Sequence, residues 1–313
     1  MAYYTKINKS EFKKYLSNYS LDNLSYFKGI DEGIENTNYF FKTRSNKFVL
    51  TIYENKITKR IKEKNLSFFV DLVNFLRKEK FPCPKILYNN NNKQLSSYKN
   101  KQFTIIDFVN GKLAKKINSQ HCYKLGRTLA TLHKKSLKFK KKKKNDFSLN
   151  EWDKLIKKKI KLSKNESLFL KKEIKYIKKN WPKKLPSGII HGDLFPDNVF
   201  FKNNNIAGII DLSNACNDFF CYDLSICINS WCYENKLNID KVKNLIKGYN
   251  SVRKIKIQEI KYLNLFLRAS SLRFYLSRLM DSQNKKIPKK YKKNPKEYLK
   301  KLKFFRENTH ISI

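Results

Sequence analysis

The sequence predicts an α+β chain in two lobes, a small antiparallel-sheet lobe followed by a larger, mainly helical one. Three observations carry this. Segments rich in β-branched and aromatic residues crowd the first third, as in "TNYFFKT" and "KFVLTIYE". The stretch "DFVNGK", Asp107 to Lys112, breaks that pattern. Beyond it apolar residues recur mostly at helical spacing, up to the long run "LNLFLRASSLRFYLSRLM". At 313 residues, 41% hydrophobic and 14% aromatic, the chain can bury a sizeable core, arranged as two lobes around a cleft.

In chain order, Lys9 to Tyr19 has helical spacing at Phe12, Tyr15 and Leu16. "LSYFKGI" and "TNYFFKT" read as two strands joined by "DEGIEN", and "KFVLTIYE" as a third. Leu66 to Glu79 reads as an amphipathic helix with Phe69, Leu72, Val73 and Leu76 inward. "KILY" and "QFTIIDF" complete a five-stranded sheet. The lobe boundary falls near Val109 and Gly111. A helix from about Ser119 to Lys135 follows, with Leu125, Leu129 and Leu132 on its buried face. The run Lys140 to Lys144 has no apolar period and reads as a solvated loop, dispensable for any chemistry. Helices start near Leu149 and Glu166. Short strands surround His191 and Asp211, and the rest is helical.

Composition excludes several classes. A net charge of +43 suits nucleic acid or an anionic membrane. Here the charge is spread along the whole length, without a zinc finger, repeat or arginine–aromatic motif, so no specific nucleic-acid partner is expected. The rival from another class is a basic binding module, betrayed by salt-sensitive nucleic-acid binding without phosphoryl transfer. None of the six cysteines forms a C-x-x-C pair, and several lie in apolar stretches such as "CYDLSICINSWC". Buried free thiols of a reducing compartment are expected. The opening residues lack the apolar core of a signal segment, and no apolar run approaches the ~18 residues of a membrane span. The expectation is a cytoplasmic protein with no membrane partner.

The chemistry concentrates in "SGIIHGDLFPDNVFF", Ser187 to Phe201. An apolar strand ends at Ile190 and another starts at Val199, so His191 to Asn198 form a tight loop at strand ends. The pattern H-x-D-x-x-x-x-N is followed by a second strand ending in Asp211. Phosphoryl transfer needs a base near the acceptor hydroxyl and a magnesium ion on the phosphates. Asp193 suits the first task. Asn198 and Asp211 offer hard oxygen ligands for the second. His191 reads as structural, tying the loop to backbone groups and orienting Asp193. Gly192 permits a tight turn, and Asp197 reads as a loop cap.

This loop resembles the catalytic loop of the kinase-like aminoglycoside phosphotransferase superfamily, which carries H-G-D-L and an asparagine. The whole chain is similar to the bacterial-type homoserine kinases within it. The matching segments, in the right order, are "FKGIDEGIENTNYFF", "FVLTIYE", "HGDLFPDNVFF", "GIIDLSNACNDFFCYDLSICINSWC" and "LRFYLSRL". The resemblance implies a two-lobe protein-kinase-like fold, with residues 1–109 covering the nucleotide and 110–313 holding the catalytic and substrate groups. It implies ATP- and Mg2+-dependent phosphorylation of the L-homoserine hydroxyl to O-phospho-L-homoserine, a step of threonine biosynthesis. By the same resemblance Gly29 and Gly33 let backbone approach the phosphates, Phe108 and Val109 hold the adenine ring, and Asp223 braces the catalytic loop. Thr51 stands where the fold usually carries a phosphate-holding lysine; Lys47 and Lys56 are nearby but off register. Homoserine needs a cation for its carboxylate, for which Arg273 and Arg278 are candidates. Asn214, Asp218 and Trp231 are candidates to line the pocket. For each of these a core or surface ion-pair role is the competing reading. The alternative substrate is choline, ethanolamine or another small alcohol, whose pocket would show more aromatic and acidic groups and no carboxylate-binding arginine.

Overall fold

The computed structural model describes residues 5–31, 36–54, 63–152, 160–285 and 287–309. The chain divides into two compact units, Met1–Asn110 and Gly111–Ile313.

In the first unit, helix α1 (Lys9–Leu16) starts where Asn8 Oδ1 accepts the Glu11 N–H at 2.8 Å. Strands β1 (Tyr26–Ile30), β2 (Asn36–Lys42), β3 (Lys47–Tyr53), β4 (Ser96–Tyr98) and β5 (Lys101–Asp107) form one antiparallel sheet in the order β1–β2–β3–β5–β4. The two-residue alternation of β2 and β3 sends Tyr39, Phe41, Phe48, Leu50 and Ile52 into one core with Phe12 and Leu16. Helix α2 (Glu63–Lys78) follows, with Leu66, Leu72 and Leu76 fully buried.

One strand differs from expectation. "KILY" contributes only an isolated bridge between Ile86 and Ile106. The fifth strand is β4, joined to β5 by Lys99 and Asn100, whose φ values are 47° and 61°. Two left-handed residues in a row give a turn that matches the twist of a tight hairpin. Ser96 and Ser97 carry no apolar signal, so the partner strand was hidden in a polar stretch.

The second unit is mainly helical. It contains β6 (Lys112–Leu113), α3 (Ser119–Ser136), a helical turn at 149–152, and α4 (Lys164–Lys179). Next come β7 (Ser187–Ile190), β8 (Val199–Lys202), β9 (Asn205–Ile209) and β10 (Cys216–Phe219). The helices α5 (Phe220–Trp231), α6 (Ile239–Asn250), α7 (Ile257–Lys261), α8 (Leu263–Gln283) and α9 (Lys296–Glu307) close the unit. Strand β7 pairs antiparallel with β10, while β6, β8 and β9 form a second small sheet. These two ribbons place the loops after β7 and β9 together. Helix α5 is buried along nearly its whole length and packs on α8, whose residues from Leu263 to Leu276 are almost all buried. Helix α3 meets α6 through two glycines. A Cβ on Gly126 would lie 2.0 Å from Leu245 O, and one on Gly248 would lie 1.9 Å from Tyr123 O. All six cysteines are buried free thiols. No described helix is long and apolar enough to cross a membrane.

Candidate active site

Strand β7 ends at Ile190, and the chain turns at once on Gly192, whose φ is +75°. A Cβ there would be strained by that backbone and would sit 3.2 Å from Asn214 O. The turn is held from beneath by Asp223, the fully buried first-turn acid of α5. Its carboxylate accepts the N–H groups of His191 at 2.8 Å and Gly192 at 2.9 Å. It also accepts Nε2–H of His133 at 3.1 Å. Burial pushes the Asp223 carboxyl upward, but the hydrogen bonds from His133 and Gly192 outweigh it and hold it below the usual range. His133 is fully buried; burial lowers its pKa against the pull of Asp223. It is therefore the neutral Nε2–H tautomer, with Nδ1 facing the Tyr249 hydroxyl at 2.7 Å.

His191 does the same job from above. Its Nδ1 accepts the Asp193 N–H at 3.2 Å, so Nε2 carries the proton and donates it to Ile210 O at 3.1 Å. Burial lowers its pKa, which keeps the ring neutral. A neutral imidazole thus ties the loop after β7 to the end of β9, one residue before Asp211. A second tie runs from the Ile210 N–H to Asn198 O at 3.0 Å.

Asp193 is half-buried and has its backbone carbonyl engaged twice, by the Phe195 N–H at 2.9 Å and Asn198 Nδ2 at 2.8 Å. Because Nδ2 of Asn198 must be the donor to that carbonyl, the amide orientation is fixed, and Oδ1 is left as the acceptor atom. Asp211 is exposed, with φ 60° and ψ 51° in the left-handed region. Aspartate tolerates this conformation better than most residues, and Ser213 Oγ donates to its Oδ1 at 2.5 Å. The 3-10 turn Leu212–Asn214 then returns Asn214 to the first loop, where its Nδ2 lies 3.4 Å from Asp193 Oδ2. The loop bearing Asp193 and Asn198 and the turn bearing Asp211 and Asn214 therefore form one hydrogen-bonded unit.

The acceptor candidates separate. Asn214 touches Asp193 directly. Trp231 is 1% exposed and donates its indole N–H to Leu194 O at 2.9 Å, so it braces the loop from the core and offers nothing to a ligand. Arg278 on α8 is paired with Glu297 and lies over the Tyr298 ring. Arg273, five residues earlier, is 4% exposed between the rings of Phe147 and Phe274. It donates through Nη1 to Gly192 O, while its buried Nε has no partner among the described residues. Asp218 is half-buried, and loss of water around its carboxyl raises its pKa; it accepts Asn145 Nδ2 at 2.7 Å. Asp197 is exposed and paired with Lys293 at 3.0 Å rather than capping the loop.

In the first unit, Gly29 lies within β1 opposite Tyr39; Gly33 lies outside the described residues. Thr51, on the sheet face opposite the core, donates to Asn38 Oδ1 at 2.8 Å. Phe108 is 37% exposed, and its N–H is engaged by Lys47 O at 3.0 Å. The next N–H, that of Val109, has no backbone partner among the described residues. Sequence reasoning missed two further contributors, His133 beneath Asp223 and Lys143, while Arg273, already a candidate for the substrate carboxylate, also braces Gly192 O. Lys143 corrects the reading of the lysine run as solvated: its side chain is 9% exposed and Nζ donates to Ser213 O at 2.9 Å. The backbone pairing that buries it has no signature in a run of like charges.

A model of the phosphotransferase enzyme family matches residues 27–253. The chain is 39% identical over 287 residues to the homoserine kinase of Rhizobium meliloti (strain 1021), covering 90% of this chain and 87% of that protein. It is 39% identical over 288 residues to the homoserine kinase of Bartonella henselae, covering 90% and 89%. Among solved structures, an amicoumacin kinase in complex with AMP-PNP, Ca2+ and Ami has a TM-score of 0.75 at 14% identity, covering 96% of this chain and 92% of that one. The choline kinase LicA from Streptococcus pneumoniae has a TM-score of 0.70 at 13% identity, covering 96% and 99%. Such distant structural likeness speaks for the fold, which is protein-kinase-like. The chain belongs to the phosphotransferase enzyme family, within the group formed by the homoserine kinases.

Proposed function

We propose that the protein transfers the γ-phosphoryl group of ATP to the hydroxyl of L-homoserine, giving O-phospho-L-homoserine. The observation that carries this reading is the fixed pairing of Asp193 with Asn198 and Asn214, in a chain 39% identical over 90% of its length to homoserine kinases. The Asp193 carboxylate receives the acceptor hydroxyl proton and holds that oxygen in line with the phosphorus. Asn214 orients the carboxylate through Oδ2.

Asn198 Oδ1 and the Asp211 carboxylate fit magnesium, which takes one or two carboxylates plus phosphate oxygens rather than an all-protein cage. When bound, the ion neutralises charge on the phosphates. In the first unit, backbone at Gly29 and Gly33 and the side chain of Thr51 are the proposed phosphate contacts. The Val109 N–H is the proposed adenine donor, beside the exposed ring of Phe108. Arg273 is the proposed partner of the substrate carboxylate, because its buried Nε is unsatisfied and Arg278 is already paired. A carboxylate supplied there by homoserine would satisfy a group that is otherwise costly to bury. A cytoplasmic location belongs to the same reading.

The test is a coupled ATP-consumption assay with L-homoserine, L-serine, L-threonine, choline and ethanolamine. Homoserine should give the highest kcat/KM, and transfer should need Mg2+. Preference for an acceptor without a carboxylate would overturn the assignment of Arg273 and of the substrate.

A further inference from the structure

The segment after α3 is pinned alongside β10 rather than loose. The Lys143 N–H donates to Asn217 Oδ1 at 2.9 Å, and the Asn217 N–H donates back to Lys143 O at 2.8 Å. Lys144 forms a parallel bridge with Asn217, and Asn145 Nδ2 reaches Asp218. With its backbone anchored there, Lys143 sends its side chain inward. Nζ donates to Ser213 O at 2.9 Å, with the Asp146 carboxylate 3.9 Å away. Ser213 is the middle residue of the turn that starts from left-handed Asp211 and ends at Asn214. That same turn supplies the Ser213 hydroxyl to Asp211 and the Asn214 amide to Asp193.

We propose that Lys143 is a positioning residue, which clamps the Asp211–Asn214 turn and thereby sets the Mg2+ dependence of phosphoryl transfer. A left-handed aspartate is held only if the residues after it are held. Serine and asparagine side chains do part of this, and the ammonium on Ser213 O does the rest. A hydrogen bond from a charged donor is stronger than a neutral one. Of the five lysines in the run, Lys140, Lys141, Lys142 and Lys144 are exposed, so the role falls on Lys143. The inference rests on the proposed roles of Asp211 and Asp193.

The experiment compares Lys143→Ala, Lys143→Arg and the control Lys142→Ala. The first readout needs no ligand: hydrogen exchange of peptides spanning 211–217. Exchange there should quicken about tenfold in Lys143→Ala, return toward wild type in Lys143→Arg, and stay unchanged in Lys142→Ala. The second readout is the Mg2+ concentration for half-maximal turnover with homoserine. It should rise several-fold in Lys143→Ala, with KM for homoserine little changed. Unchanged exchange at 211–217 overturns the clamp. So does faster exchange across the whole second unit, which would mean general destabilisation. Faster local exchange with an unmoved Mg2+ requirement overturns the link to the metal site. If the wild-type protein fails to phosphorylate homoserine, the substrate assignment falls, while the exchange measurement still decides the clamp.

Discussion

Asp193 shows how many small contacts fix one carboxylate. Its N–H is held by His191, its carbonyl by Phe195 and Asn198, and its Oδ2 by Asn214. Asp193→Asn keeps the size of the side chain and most of these contacts but removes the proton acceptor. Turnover should fall by roughly 10² to 10⁴, the range for a positioned acid–base group. Calorimetry should show ATP–Mg2+ binding little changed, since the proposed ligand atoms belong to Asn198 and Asp211. Turnover within a few-fold of wild type would remove Asp193 from the chemistry. The arginines make a second contrast. Arg273→Lys replaces a planar fork with a point charge, so KM for homoserine should rise at least tenfold. Arg278→Lys should leave KM near wild type, because its partner Glu297 lies on α9. Equal effects on KM would show that burial and an unsatisfied Nε are poor guides to the carboxylate site.

Elements were more legible than contacts. The core helices and most strands follow from spacing, because a buried face repeats every 3.6 or 2 residues. Strand β4 did not, because "SSY" is short, mostly polar and defined by the turn after it. The grouping of His191, Asp193, Asn198 and Asp211 was legible from residue types at strand ends, and the brace Asp223 from the family resemblance. It was not legible where a residue serves through its neighbours. Trp231 and Arg278 read from the sequence as pocket candidates and Lys143 as part of a solvated run, and only packing shows that all three are engaged in contacts within the protein. Helix packing also rests on positions that carry no apolar signal. Gly126→Ala gains about 1 kcal/mol of helix propensity. Its Cβ would nevertheless sit 2.0 Å from Leu245 O, which is backbone and cannot rotate away. Overpacking costs typically about 1–3 kcal/mol, so the clash should win. The expected result is a lower urea midpoint, and a raised midpoint would mean that α3 and α6 separate freely.

At the scale of the whole molecule, the brace around the catalytic loop makes stability depend on pH. His133 and His191 are both fully buried and neutral, with pKa values lowered chiefly by burial. In the unfolded chain each returns to about 6.5. The unfolded state therefore binds more protons than the folded one as pH falls through that value. Stability contributed by keeping these rings neutral is fully present above the unfolded pKa and is lost progressively below it. His121, also lowered by burial, acts in the same direction. Asp223 adds a separate loss at lower pH, since its folded pKa is depressed and its contribution disappears only as pH falls from about 4 through the folded value. If both buried rings stay neutral throughout, going from pH 7.5 to 5.5 removes about 2.7 kcal/mol, or about 1.4 for each histidine. The chain's charge of +43 makes ionic strength a competing variable, so both pH values must be measured at the same salt. Urea unfolding should then show a lower midpoint at pH 5.5 than at 7.5. In His133→Gln, which keeps a donor for Asp223 but cannot titrate, the pH-dependent drop should shrink by about half, although the variant starts from lower stability. A drop of undiminished size in that variant would show that the loss comes from groups other than the brace beneath Gly192.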